Sequence, residues 1–187
     1  MLETALRLGV TFKNLVNRAG PRCVALETTL LVHGVPRGQG RALAAELRAN
    51  RVDLICLACY MRLLSAPFVR EFPLRILNIH PSLLPKYPGL HPHARALAAG
   101  EREHGASVHF VTSELDAGPV LAQVRCAVAA NDTETSLADR VLRLEHKLYP
   151  RALELLLSGT VGWSNSAATY HGRPLLNPLD LAALPIG

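Results

Sequence analysis

Apolar residues along the chain repeat with two different periods, and the change between them predicts alternating helices and strands. Residues 41–50 place Leu43, Ala44 and Leu47 on one face of a helix. Residues 53–59 then form a near-continuous apolar run, which is typical of a strand buried on both faces of a parallel sheet. A helix followed by such a strand is the unit from which α/β sheets are built.

The rest of the chain continues this alternation. The pattern predicts a short helix at 67–71, a strand at 75–80, a loop at 82–90, a helix at 92–99, strands at 107–111 and 120–128, and a long helix from 131 that is interrupted or kinked at Pro150 and resumes to 159. The tail from Trp163 to Gly187 carries the turn signals of a hairpin. We therefore expect a single α/β domain with an open, mostly parallel, Rossmann-like sheet that binds ligands at the carboxyl ends of its strands.

Two polar side chains stand out at the end of the strand predicted at 75–80. Asn78 and His80 are two residues apart, so they project from the same face of the strand. An amide donor beside a titratable imidazole suits a reaction in which a carbonyl oxygen gains negative charge while a proton moves. A lone Asn-x-His of this kind is also common in turns that satisfy only their own backbone. The longer motif around the pair therefore has to decide between the two interpretations.

Composition narrows the class of protein without identifying it. The net charge of +5 comes from 20 Lys and Arg against 15 Asp and Glu. These basic residues are scattered and not interleaved with aromatic ones, so we expect no nucleic-acid partner. No apolar run reaches the ~18 residues of a membrane span, and no secretion signal is evident, so we expect no membrane association and a cytoplasmic location. Cys56 and Cys59 form a C-x-x-C within a predicted strand, where they face opposite sides, and we interpret them as inert buried thiols.

Four longer segments connect these observations to a known family. They are ACYMRLLS at 58–65, LNIHPSLLPKYPGLHPHARAL at 77–97, EHGASVHFVTSELDAGP at 103–119 and EHKLYP at 145–150. Together they resemble the phosphoribosylglycinamide formyltransferases, folate-dependent enzymes of purine synthesis, over roughly residues 37–160. Related formyltransferases that act on initiator tRNA, and formyltetrahydrofolate deformylases, differ in the residues after the histidine.

The resemblance implies a fold, a reaction and a set of residues. The fold would be the formyltransferase type of α/β sheet. The reaction would transfer a formyl group from 10-formyltetrahydrofolate to the amine of glycinamide ribonucleotide, without a metal. The residues matching the catalytic positions are Asn78, His80 and Asp116. A carboxylate at Asp116 would stabilise a charged imidazole at His80, and His109 would support His80 from nearby.

Further residues match the binding positions of the family. Those expected to contact the folate are Met61, Arg62, Leu63, Leu64, Asn78, Thr112, Ser113, Glu114, Leu115 and Asp116. Glu145 matches the position that binds the ribose of the nucleotide, whereas position 142, often Gln in relatives, is Leu here. The loop at 82–91 is expected to act as a mobile lid because of its Pro and Gly content.

The amino-terminal part departs from the family pattern. Residues 1–36 lack the S-G-x-G-S-N-L loop with which family members cradle the substrate phosphate. We therefore expect a divergent segment at 1–36, a catalytic domain at 37–187, and a sheet whose amino-terminal strands are incomplete. Three alternatives to the main prediction stay open: a truncated, weakly active or inactive folate-binding remnant, a formyltransferase with a different amine acceptor, and an enzyme that hydrolyses formyl-folate.

Overall fold

The computed structural model describes residues 23–27, 40–58, 64–164 and 167–180 of the 187-residue chain. In chain order the elements are β1 (Cys23–Glu27), α1 (Gly40–Ala49), β2 (Leu54–Ala58), α2 (Ala66–Glu71), β3 (Ile76–His80), α3 (Pro92–Ala98), β4 (Glu103–Phe110), β5 (Val120–Ala127), α4 (Glu134–Leu157), β6 (Val161–Ser164), β7 (Ala167–Tyr170), β8 (Arg173–Pro174) and β9 (Leu179–Asp180).

Six strands form the main sheet in the order β1-β2-β3-β4-β5-β9. The pairs β1–β2, β2–β3 and β5–β9 are parallel, whereas β4 is antiparallel to both β3 and β5. The prediction of an α/β fold with a mostly parallel sheet is confirmed. The strand β1 belongs to the segment that the sequence set apart as 1–36, and it pairs with β2 along all five of its residues. The division into two segments stays a prediction.

Each face of the sheet has its own apolar core. On one face, the helices α1 and α2 cover Ile55, Leu57 and Ile76. On the other face, α4 covers the side chains that alternate with those, including Leu77 and Ile79 of β3. Because side chains alternate along a strand, Asn78 and His80 share the face of Ile76 and extend it toward the carboxyl end of β3. The α4 face is fixed by packing and by the Tyr149 hydroxyl, which donates to the Leu77 carbonyl at 3.0 Å.

Most predicted elements are present within one or two residues of their expected bounds, with two instructive exceptions. The strand predicted at 107–111 begins four residues earlier, at Glu103, because Gly105 lets β5 approach: a Cβ there would lie 1.9 Å from the Val124 carbonyl oxygen. The long helix is not interrupted at Pro150. Burial of Tyr149, Pro150, Ala152 and Leu153 offsets the backbone hydrogen bond that proline cannot make.

The carboxyl-terminal part forms a small second sheet. Strands β6, β7 and β8 are antiparallel neighbours, so the predicted hairpin is present and gains a third strand. The chain then returns to the main sheet as β9 beside β5.

Other expectations meet the structure only in part. Cys56 is buried, with 1% of its surface exposed, whereas Cys59 lies outside the described residues. Among the residues that the structure describes, no helix is both long and apolar enough to cross a membrane.

Candidate active site

The site begins at the carboxyl end of β3, where Asn78 and His80 project from one face and are each only 7% exposed. The antiparallel neighbour β4 places His109 opposite Asn78 and Ser107 opposite His80. Directly opposed residues of paired strands share a face, so these four polar side chains form a compact patch. All four residues are buried.

Asp116 lies over this patch and contacts two of its imidazoles. One carboxylate oxygen, Oδ2, is 3.5 Å from Nδ1 of His80, and the other, Oδ1, is 3.6 Å from Nε2 of His109. The backbone N–H of Gly89 donates to Oδ2 at 2.8 Å. The structure therefore brings the three sequence-predicted catalytic residues together, with His109 as a fourth member.

The loop at 111–119 brings Asp116 back over the face of β3. Because β4 runs antiparallel to β3, its carboxyl end at Phe110 lies beside Leu77, at the start of β3, and the loop has to return from there. Two backbone features make the return possible. Asp116 adopts a left-handed conformation with φ of 48°, and a Cβ at Gly118 would lie 1.7 Å from the Phe110 carbonyl oxygen.

A register shift in the β4–β5 pairing accompanies this loop. Val108 pairs with Ala122, and His109 pairs with Val120, so β5 carries one extra residue at this point. Such bulges redirect side chains, and this one lies at the histidine that contacts Asp116.

Hydrogen bonds define the proton position on His109. Its Nδ1 lies 3.1 Å from the Phe110 carbonyl oxygen, which can only accept, so Nδ1 carries the proton. Its Nε2 is then an acceptor for the Asn78 Nδ2–H at 3.2 Å. Burial lowers the pKa of His109 well below 6.5, although the Asp116 carboxylate opposes this effect. His109 is thus a neutral imidazole that orients the Asn78 amide.

His80 has a hydrogen-bond acceptor at each ring nitrogen. Its Nε2 lies 3.0 Å from the Tyr87 carbonyl oxygen, and its Nδ1 faces the Asp116 carboxylate. A carbonyl and a carboxylate both accept, so an imidazole protonated on both nitrogens is satisfied in this position. The side chain is therefore held in one orientation by two groups from two different loops.

Comparison with known proteins places this geometry in a family. The family model described as formyl transferase matches residues 32–153. The chain belongs to the formyl transferase family. A curated relative, the phosphoribosylglycinamide formyltransferase of Escherichia coli strain K12, is 47% identical over 135 residues, which cover 72% of this chain and 64% of the relative.

Two further matches agree with this formyl transferase assignment. The trifunctional purine biosynthetic protein adenosine-3 of Drosophila melanogaster is 54% identical over 118 residues, which cover 63% of this chain and 9% of that protein. The solved structure of a phosphoribosylglycinamide formyltransferase from Coxiella burnetii has a TM-score of 0.73 and 40% identity, and the match covers 82% of this chain and 72% of that one. The chain thus spans less than two thirds of the length of the curated relatives from Escherichia coli and Drosophila melanogaster.

The residues expected to bind folate are only partly described. Met61, Arg62 and Leu63 lie outside the described residues, and Leu64, which is described, is partly buried. In the loop at 111–119, the Thr112 hydroxyl accepts from the Glu114 N–H and donates to the Glu114 carbonyl, both at 3.4 Å. These two bonds close a tight turn. Leu115, half-exposed in that turn, approaches Gly89 of the facing loop.

Glu145 lies on α4, on the other side of the sheet from Asp116, one helical turn before Tyr149. Burial raises the pKa of its carboxyl to about 7. No contact joins it to Asn78, His80 or Asp116 within the described residues, so its predicted role in binding ribose stays a prediction. No cluster of three metal-binding side chains occurs in the described part of the chain.

Sequence reasoning missed two backbone groups of the site. The Gly89 N–H and the Tyr87 carbonyl both come from the loop at 82–91, and side-chain patterns carry no signal for them. That loop, expected to be a mobile lid, is held by several bonds: the Lys86 ammonium and the Tyr87 hydroxyl both donate to Glu101, at 2.7 and 2.8 Å, and the Arg95 guanidinium donates to the Pro88 carbonyl at 2.6 Å. Its mobility stays a prediction.

Proposed function

We propose that this protein transfers a formyl group from 10-formyltetrahydrofolate to the primary amine of glycinamide ribonucleotide. The observation that carries the proposal is the buried cluster of Asn78, His80 and His109 around the Asp116 carboxylate. In this reaction the amine nitrogen forms a bond to the formyl carbon, and the bond between that carbon and the folate nitrogen breaks. One proton leaves the amine, and one reaches the folate nitrogen.

The Asn78 amide suits the stabilisation of the formyl oxygen. Its Nδ2 has two hydrogens, and the structure gives it one bond, to His109. The second N–H is available to an oxygen that gains negative charge as the amine attacks. The Asn78 Oδ1 is buried and has no hydrogen-bond partner among the described residues, so it is available to accept from the attacking amine.

His80 suits the movement of the proton. In its charged form it donates from both nitrogens, and Asp116 lies close enough to compensate the charge. The Tyr87 carbonyl accepts from Nε2 at 3.0 Å and so orients the imidazole for this transfer. Because Asp116 also accepts from the Gly89 backbone, the carboxylate keeps its position while His80 changes protonation state.

The experiment follows formyl transfer by the purified chain, with glycinamide ribonucleotide present and absent, through the absorbance of the folate product. We expect turnover that requires the nucleotide and falls at least a hundredfold in His80→Ala, the scale of a lost acid–base group. His171→Asn is the matched control, because His171 is exposed in the β7–β8 turn and its positive φ tolerates asparagine.

Other outcomes would replace the proposal with one of its alternatives. Equal turnover without nucleotide would indicate hydrolysis of the formyl donor. Turnover with a different primary amine, but not with this nucleotide, would indicate another acceptor. Folate binding by folded protein without any turnover would indicate a binding remnant.

A further inference from the structure

A row of three polar residues crosses the sheet at the level of His80. Ser107 of β4 is directly opposite His80, and Gln123 of β5 is directly opposite Ser107. Cross-strand partners share a face, so all three side chains project toward the site. Ser107 is fully buried and Gln123 is 5% exposed. Buried polar side chains in the centre of a sheet need hydrogen-bond partners, and the partners of Ser107 and Gln123 show which part of the chain these residues hold in place.

Ser107 and Gln123 direct their hydrogen bonds at the loop that follows β3. The Ser107 hydroxyl donates to the Ser82 carbonyl at 2.6 Å and accepts from the Leu84 N–H at 3.0 Å. The Gln123 amide nitrogen donates to the Leu84 carbonyl at 2.8 Å and to the Ser107 hydroxyl at 2.9 Å. A hydroxyl has one donor and two acceptor sites, so Ser107 is fully satisfied and both amide hydrogens of Gln123 are used.

The same loop carries the backbone carbonyl that contacts His80. The Ser82 hydroxyl donates to the Lys86 carbonyl at 2.6 Å. This bond links the anchored residues 82–84 to Lys86, which directly precedes Tyr87. The Tyr87 carbonyl then lies 3.0 Å from Nε2 of His80. An unbroken series of short hydrogen bonds therefore runs from Gln123, through Ser107 and the backbone of residues 82–86, to the imidazole of His80.

We propose that Gln123 is a positioning residue for His80: through Ser107 and the loop at 82–87 it holds the Tyr87 carbonyl against Nε2 of His80, so that this nitrogen keeps its proton and Nδ1 faces Asp116. This proposal deepens the proposed function and, for its effect on turnover, rests on it. Gln123 is separated from the reacting groups by β4, and its hydrogen bonds go to Leu84, Ser107 and Arg125, none of which is a predicted catalytic residue. Its effect on the reaction is therefore indirect.

The loop has other anchors, so loss of the Gln123 amide would disturb it locally. Glu101 binds Lys86 and Tyr87 from the outer side, and Arg95 binds the Pro88 carbonyl. The Lys86 and Arg95 bonds are exposed and the Tyr87 bond is partly buried, so they restrain the loop less than fully buried bonds do. They reach side chains of the loop or the backbone of Pro88, and not the backbone of residues 82–87.

The test replaces Gln123 by methionine, which has a similar length but no donor. The direct measurement is the one-bond ¹H–¹⁵N correlation of the His80 imidazole, assigned by its loss in His80→Ala. In the unmodified protein we expect a slowly exchanging Nε2 proton. In Gln123→Met we expect exchange with water to become at least about tenfold faster, because the Tyr87 carbonyl no longer holds that proton.

Turnover provides a second measurement with a distinct pattern. A displacement of the loop by a fraction of an ångström to about 1 Å is expected to lower kcat by about tenfold to a hundredfold, while the KM for the folate changes by less than about threefold. The matched control is Arg125→Met. Arg125 donates to Gln123 Oε1 at 3.3 Å from the exposed side, so this variant removes a bond to Gln123 without touching its amide hydrogens. We expect Arg125→Met to behave as the unmodified protein in both measurements.

Two results would overturn the proposal. One is a folded Gln123→Met protein in which the Nε2 proton of His80 exchanges at its original rate. The other is an equal change in Arg125→Met. If Gln123→Met does not fold, Ser107→Ala removes the central hydroxyl at a smaller change in volume, and the same two criteria apply to it. Because proton exchange needs no substrate, a protein without formyl transfer activity still tests the role of Gln123, and the two proposals fail separately.

Discussion

Strand β4 carries buried histidines on both of its faces, and what surrounds them differs. His109 lies on the face of Asn78 and His80, where Asp116 covers the imidazoles. His104 lies on the other face, where its Nε2 is 3.1 Å from Nδ1 of His93 in α3. Each of the two β4 histidines is 1% exposed. Burial lowers the pKa of both histidines, so burial alone does not distinguish them. The difference lies in what covers them: only on the His109 face does a loop bring a carboxylate over the imidazoles.

The histidine pair on the α3 side has the properties of a structural contact. Burial, then the neighbouring His93, lowers the pKa of His104 to about 4, and burial also lowers the pKa of His93. Two neutral imidazoles form one hydrogen bond, and the rings meet edge to face with centroids 5.1 Å apart. Neither ring approaches an Asp or Glu oxygen at ion-pair distance within the described residues. The contact joins α3 to β4 without a carboxylate at either ring.

Removal of the carboxylate should have the largest effect. Asp116→Asn keeps the side-chain shape and tolerates the positive φ, but it cannot compensate a charged His80. We expect turnover to fall by on the order of a hundredfold or more, with a much smaller change in folate affinity. Steady-state kinetics and folate titration measure the two effects. Asp139→Asn, on an exposed position of α4, is the control, and equal losses in turnover and affinity would refute a catalytic role for Asp116.

Displacement of the carboxylate, without its removal, should have the next largest effect. In Gly118→Ala the new Cβ meets the Phe110 carbonyl, so the loop at 111–119 has to shift. We expect a loss of about 2–3 kcal/mol in the free energy of unfolding and a fall in turnover of about tenfold or more. Gly100→Ala is matched to it: the position has a positive φ but open space, so we expect a smaller loss of stability and normal turnover. Normal turnover in a folded Gly118→Ala protein would contradict this explanation of the loop.

Acid should destabilise the fold through buried His104, in addition to His109, whose pKa burial also lowers. The folded-state pKa of His104, about 4, lies below its unfolded value of 6.5, so the unfolded chain binds the proton first. Stability is then complete above pH 6.5 and is lost as the pH falls toward 4, by up to about 3 kcal/mol from this residue. Urea unfolding at pH 7.5, 6 and 5 measures the loss. The His104→Gln variant should show a shallower decline, and a decline as steep as that of the unmodified protein would assign the effect to other groups.

Hydrophobic periodicity predicts the strand residues of the site, Asn78 and His80, but not the loop residues that face them. Asn78 and His80 could be placed on one face because strands have a period of two. Asp116 was found only through the resemblance, because its position depends on a nine-residue excursion that reverses over the sheet. That reversal depends on the space at Gly118 and on the antiparallel direction of β4, and neither has a signature in hydrophobic periodicity.

Two features of the fold escaped prediction for a similar reason. Ser107 and Gln123 interrupt apolar strands, and a polar residue in a strand is by itself ambiguous until its partners are known. Their partners are backbone groups of the loop at 82–84, tens of residues away in both cases. The helix α4 continues through Pro150 because tertiary packing outweighs a local preference, which no single-residue rule can anticipate.

The left-handed backbone at Asp116 limits what evolution or an engineer can place there. Glutamate would keep the charge but is strained at a φ of 48° and would extend the carboxylate by one methylene, into the space of the imidazoles. Asparagine and glycine accept the backbone but carry no charge. Among the standard residues, aspartate alone combines the conformation with the charge. A protein that retains this loop can therefore place a carboxylate at this position only with aspartate. Substitutions intended to change specificity are better made in the exposed turn of Thr112 to Leu115.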